Sequence, residues 1–189
     1  MQDKIRACIA ESIEVKKAAL EKNLAAVEKT VGAIMTSFQS GGKVLLCGNG
    51  GSAADCQHIA AEFIGRFQKE RSALPAIALT TDTSILTSLA NDYSFDVVFS
   101  RQVEGLGKRG DVLVGITTSG NSLNVIKAVE QAKKMGIMTI AMSGRDGGKI
   151  AKIADISIVV PSAKTARIQE THIALAHAVC EVVEDELTK

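Results

Sequence analysis

Between residues 117 and 122 the chain reads Thr-Thr-Ser-Gly-Asn-Ser, which sets hydroxyls at Thr117, Thr118, Ser119 and Ser122 around one glycine. The segment follows an apolar run, Asp111–Ile116, and leads into a helical pattern over Ser122–Met135. Free backbone N–H groups and the dipole at a helix start favour an anion, and Ser or Thr hydroxyls complete its hydrogen bonds. One hydroxyl is enough to cap a helix. Four in six residues favour a monoester phosphate, which needs no lysine.

A second glycine-rich turn, Gly48-Asn49-Gly50-Gly51-Ser52-Ala53, also joins an apolar run to a helical pattern. It matches the dinucleotide fingerprint with a final alanine. That fingerprint requires an acidic residue about 20 positions on, at the end of the next strand, to hold a ribose. Here the count reaches Gln68-Lys69-Glu70, ahead of that strand, and Asp82 at its end is too distant. Nicotinamide binding is therefore disfavoured, and no GxxxxGK[ST] motif offers a site for ATP.

The three histidines narrow the chemistry further. His58 and Glu62 stand four apart on one helical face. Gln169 and His177 stand eight apart, a little over two turns, with His172 between them. Singly, each has a plain structural explanation: a solvated helix charge, or a half-buried histidine with its hydrogen bonds met. Together with two glycine and hydroxyl loops, they point to an acid–base or metal constellation.

These groups need a scaffold that gathers strand ends. Short β-branched runs at Lys43–Cys47, Ala76–Thr80, Asp111–Ile116, Met138–Met142 and Ile156–Val160 alternate with helical patterns, the signature of a parallel sheet covered on both faces. The helical stretches run over Ser52–Phe67, Ser84–Leu89, Phe95–Leu106, Ser122–Met135 and Gly148–Lys152, with a last one over Ala166–Leu187. Ligands in such sheets bind beyond the carboxyl ends of the strands, where both glycine-rich turns fall. Residues 1 to 40 are different: Ile5, Ile9, Ile13, Leu20, Leu24, Val27, Val31 and Ile34 recur at helical spacing over a stretch too long for one small sheet to bury. A helical arm packed on a partner subunit is the favoured reading.

Composition sets the outer limits. A chain of 189 residues suits a single domain, with helices over 1–40 and an α/β core over 41–189. A formal charge of +1 gives no basic field for nucleic acid, and the absence of Trp removes an obvious base-stacking platform. Cys8, Cys47, Cys56 and Cys180 show no paired spacing and read as reduced thiols of a cytoplasmic protein, and no uncharged apolar run is long enough to span a membrane.

The ordered set of motifs resembles the phosphoheptose isomerases of the SIS (sugar isomerase) domain family. The resemblance rests on residues 48–55 with Gln57, His58 and Glu62, on Asn91-Asp92, on 116–122, and on 166–170 with His172 and His177. It implies a flavodoxin-like three-layer α-β-α sandwich on a five-stranded parallel sheet, and a homotetramer with sites between subunits. It also implies interconversion of sedoheptulose 7-phosphate and glycero-manno-heptose 7-phosphate, feeding heptose to cell-envelope glycans such as lipopolysaccharide.

Carried over by position, Ser52, Thr117, Thr118, Ser119 and Ser122 would hold the phosphate, and Asn49, Gly50, Gly51, Asn91 and Asp92 the sugar. Glu62 and His177 would be the acid–base pair, and His58, Glu62, Gln169 and His177 would bind zinc. Thr117 stands where many relatives have serine, which keeps the hydroxyl. The alternative is a non-catalytic SIS tetramer that binds the replication initiator DnaA, which the opening MQDKIRACIAESI and the stretch Leu74–Leu79 also resemble. That branch lacks equivalents of Glu62 and His177, so catalysis is the expectation.

Overall fold

The computed structural model describes residues 1–189. Five strands, β1 (Val44–Gly48), β2 (Ala76–Ala78), β3 (Val112–Thr117), β4 (Met138–Gly144) and β5 (Ile156–Val160), alternate with seven helices. The helices are α1 (Gln2–Gln39), α2 (Gly51–Ile64), α3 (Thr83–Asp92), α4 (Ser100–Leu106), α5 (Leu123–Lys134), α6 (Ile150–Ile153) and α7 (Thr165–Leu187). The strands form one parallel sheet in the order β2-β1-β3-β4-β5. That is the flavodoxin-like order, whose direction reverses between β1 and β3.

Side chains alternate across the sheet and seed two separate cores. Val44, Leu46, Val114, Ile140 and Ile158 meet Ile34 of α1, Ile59 and Phe63 of α2, and Val179 and Val183 of α7. Leu45, Cys47, Leu113 and Ala141 point the other way, onto Val103 of α4, Val125 and Val129 of α5, and Ile150 of α6. Both faces are covered, which explains why the strands read as continuous apolar runs rather than alternating ones.

Two expectations change in detail. The pattern over Phe95–Leu106 is not one helix but a 3-10 turn at Phe95–Val97 followed by α4, because the chain bends between them to bury Val98 and Phe99 in the second core. The helices expected over 1–40 are one unbroken 38-residue helix. With a rise of 1.5 Å per residue, it extends about 57 Å. Its second half packs on the sheet through Val31 and Ile34, and Asn23 pairs with β5, donating to Val159 O at 3.1 Å while accepting from Val159 N at 2.8 Å. Its first half leaves Ile5 (59% exposed), Ile9, Ile13, Leu20 and Leu24 open to solvent. No helix is long and apolar enough to cross a membrane.

Candidate active site at the strand switch point

The loops after β1 and β3 flank the point where the strand order reverses, and their side chains lock them together. Asn49 donates to Asn124 Oδ1 and accepts from Asn124 Nδ2, both at 2.9 Å. Asn124, unremarked in the sequence, is buried in the first turn of α5 and also accepts from Val125 N. Local sequence shows only an amide two residues after a hydroxyl-rich turn; its partner, Asn49, lies 75 positions away.

The loop after β3 is held by hydrogen bonds among its own side chains. Thr117 Oγ1 lies 2.8 Å from Ser122 Oγ and 3.4 Å from Ser119 Oγ, and Ser119 Oγ accepts from Asn121 N at 3.1 Å. Thr118 is half-buried beside them. Gly120 has φ +70° and touches the backbone of Gly147 and Gly148 so closely that any side chain would collide with it. Its carbonyl accepts from Ile150 N at 3.1 Å, so the loop after β4 buttresses the hydroxyl loop. Ser52, the fifth expected phosphate contact, is buried at the start of α2, behind the exposed Gly50 and Gly51.

The second cluster combines residues far apart in sequence. His58 Nε2 lies 3.0 Å from Glu62 Oε1 and 3.1 Å from His177 Nε2. The two imidazole rings tilt at 50° with centroids 4.9 Å apart, and Phe67 sits 5.7 Å from His177 on the other side. The ligand atoms of all three polar residues lie within 4.8 Å of one another.

This donor set suits a divalent metal. Two imidazole nitrogens sharing a tetrahedral zinc at 2.0–2.1 Å stand about 3.3 Å apart, close to the spacing here. Gln169 offers an amide oxygen two turns before His177, but its amide lies against Gly51 at the start of α2, on the first-loop side of the site. Burial, reinforced by the Glu62 carboxylate, pushes the Cys180 thiol up to about 12, so this nearby sulfur stays protonated.

Asp55 joins the same face of α2, three residues before His58 and seven before Glu62. Burial raises its pKa against the pull of His58 and His177, and its Oδ2 is buried without a partner. The sequence placed Asp55 inside a motif and gave it no role. His172, by contrast, is sealed away from the cluster. It donates from Nε2 to Ser143 O at 2.9 Å, and burial lowers its pKa to about 4. Asn91 and Asp92 lie at the exposed end of α3, where Asn91 donates to Asp92 at 2.8 Å; the structure joins them to each other rather than to either loop.

The SIS domain family model matches residues 9–144. The phosphoheptose isomerase of Aquifex aeolicus is 57% identical over 185 residues, covering 98% of this chain and 97% of the relative. The structure of phosphoheptose isomerase GmhA from Neisseria gonorrhoeae superposes with a TM-score of 0.92 at 49% identity, over 97% of this chain and 98% of that one. The structure of a phosphoheptose isomerase from Francisella tularensis gives 0.93 at 37% identity, again over 97% and 98%. Matches of this level along nearly the whole chain place the protein in the SIS domain family and, within it, among the phosphoheptose isomerases.

Proposed function

We propose that the protein interconverts sedoheptulose 7-phosphate and D-glycero-D-manno-heptose 7-phosphate through an enediol. The observation that carries this reading is the meeting of Glu62 and His177, 115 positions apart by numbering (177 − 62), in a fold that also carries a hydroxyl loop at a helix start. Ser52, Thr117, Thr118, Ser119 and Ser122 hold the phosphate, with helix N-termini behind it. Backbone at Gly50 and Gly51, with Asn49, Asn91 and Asp92, lies along the sugar.

Moving the carbonyl from C2 to C1 requires a proton to leave C1 and return to C2, while a second proton passes between the oxygens. Glu62 carries the carbon-bound proton. Its Oε1 is turned toward His58, so Oε2 is the atom for this task. His177 serves the oxygen side. Zinc held by His58, Glu62, Gln169 and His177 would act as a Lewis acid toward the carbonyl oxygen.

The same reading makes the protein a cytoplasmic homotetramer supplying heptose for lipopolysaccharide. Its four unpaired cysteines and the open apolar stripe of α1 support that assignment. Light scattering tests the assembly, and a monomer at micromolar concentration would defeat it. The alternative, a tetramer that binds DnaA, gains nothing from the comparisons, and the assembled Glu62–His177 pair argues for turnover. Incubation with sedoheptulose 7-phosphate, followed by NMR, should reveal an aldoheptose 7-phosphate; no product from zinc-supplemented protein would overturn the proposal.

A further inference from the structure

Behind the His58–Glu62–His177 cluster lies a charged pair that the chemistry does not use. Arg71 and Glu184 are paired at 3.0 Å with side chains only 6% and 2% exposed. Glu184 accepts from Arg71 Nε and from three successive backbone N–H groups, Phe67 at 2.9 Å, Gln68 at 2.7 Å and Lys69 at 2.8 Å. Burial alone would raise its pKa, but these N–H groups and the guanidinium more than offset that and lower it. Arg71 turns its other nitrogens onto the end of α2, donating to Glu62 O at 2.8 Å, Phe63 O at 2.9 Å and Gly65 O at 3.3 Å.

The connections have a direction. α2 carries His58 and Glu62, and its last carbonyls are left open by the helix itself. No basic residue lies in its own last turn. The chain instead folds back so that Arg71 caps them, and Arg71 is held by Glu184. Glu184 stands seven residues after His177 on the same face of α7. The segment it grips carries Phe67, whose ring faces His177. Apolar contacts among Ile59, Phe63, Val179 and Val183 bring the helices together but do not fix how one slides along the other. A buried ion pair is a poor source of net stability, and in some proteins its contribution is to fix geometry instead.

We propose that Arg71 and Glu184 are positioning residues that set the alignment of His58 and Glu62 on α2 against His177 on α7. The inference rests on the isomerase reading for its effect on turnover, but its geometric content is independent of that reading. Partners that orient a metal or acid–base group change affinity or activity by about 10- to 100-fold when removed. Glu184→Gln should therefore lower both kcat and zinc affinity, measured against a chelating dye, by about that factor. KM should stay within about threefold, because the phosphate loop on β3 makes no contact with the pair. A crystal structure of the variant should show the His58–His177 contact opened beyond 3.1 Å.

Arg71→Lys keeps the charge and loses the fork, and should move the same readouts in the same direction. It carries the test if Glu184→Gln does not fold. Lys69→Ala, which removes only a surface pair with Asp185, should change none of them. A lower melting temperature with kcat, zinc affinity and the histidine contact all unchanged would reduce the pair to ordinary scaffolding and overturn the proposal. If the wild type shows no turnover, the isomerase reading fails, while zinc affinity and the variant's crystal structure still decide the alignment.

Discussion

The hydroxyl loop after β3 and the His58–Glu62–His177 cluster are built in opposite ways. The loop is local: Thr117, Ser119 and Ser122 bond one another within six residues, and a left-handed glycine fixes the turn. The cluster is assembled from α2 and α7, and no short stretch of sequence contains it. The hydroxyl contacts need only one strand and one helix start, although Asn49 after β1 and the loop after β4 brace them. An assembled site exists only when the whole sandwich has closed. On the proposed reading, binding and chemistry thus differ in how they depend on the fold.

The largest expected effect tests the assembled half. Glu62→Gln keeps size and hydrogen bonding but removes the proposed base, and His177→Ala removes its proposed counterpart. Each should lower kcat by about 10²- to 10⁴-fold, the usual scale for a positioned acid or base, with the fold retained. Near-normal turnover in Glu62→Gln would erase the distinction between the two regions.

A second test uses the histidine that the cluster excludes. His172 is held neutral with a pKa near 4, against 6.5 for a free side chain. Between those values the unfolded chain binds a proton that the folded one refuses. The stabilisation is complete above pH 6.5 and is lost as pH falls toward 4, by about 3 kcal/mol in all. Denaturant titrations from pH 7 to pH 4 should show that slope, and His172→Leu should flatten it most between pH 6.5 and 5, leaving the acid-side slope from Glu184 and Asp155, whose carboxyls are held below their ordinary range.

The local half is tested by Ser122→Ala, which deletes one hydrogen bond to a charged ligand. That should cost about 1.5–3 kcal/mol in binding and appear in KM rather than kcat. The mildest change is Thr117→Ser, which keeps the hydroxyl and loses one buried methyl group. Stability should fall by about 0.8 kcal/mol with KM unchanged, and a large rise in KM would show that the loop needs more than its hydroxyls.

The same contrast explains what the sequence made legible. The strands and α7 were readable because continuous apolar runs and a 3.6-residue period are local signals. So was the hydroxyl loop. The approach of His58 to His177 was only inferable, since it depends on α2 and α7 packing side by side. Arg71 and Glu184 were invisible, because single charges among many look solvated until their burial is known. Asn124 was missed for a related reason: its partner, Asn49, belongs to another loop. The bend at Val98 and Phe99 escaped because helical periodicity does not report where a chain turns to bury two neighbours.

The first helix has a consequence for the order in which the protein can be made. α1 is complete within the first forty residues, yet its partners are the last to appear: Asn23 pairs with Val159, Lys164 with Glu11, and Arg167 with the carbonyl of Cys8. On the ribosome, this helix must wait undocked while nearly the entire chain is synthesised, with Val31 and Ile34 exposed alongside Ile5 and Ile9. Synthesis at 5–20 residues per second makes that wait roughly seven to thirty seconds. The exposure of this helix is thus a matter of timing, and a nascent-chain chaperone has a defined interval in which to act.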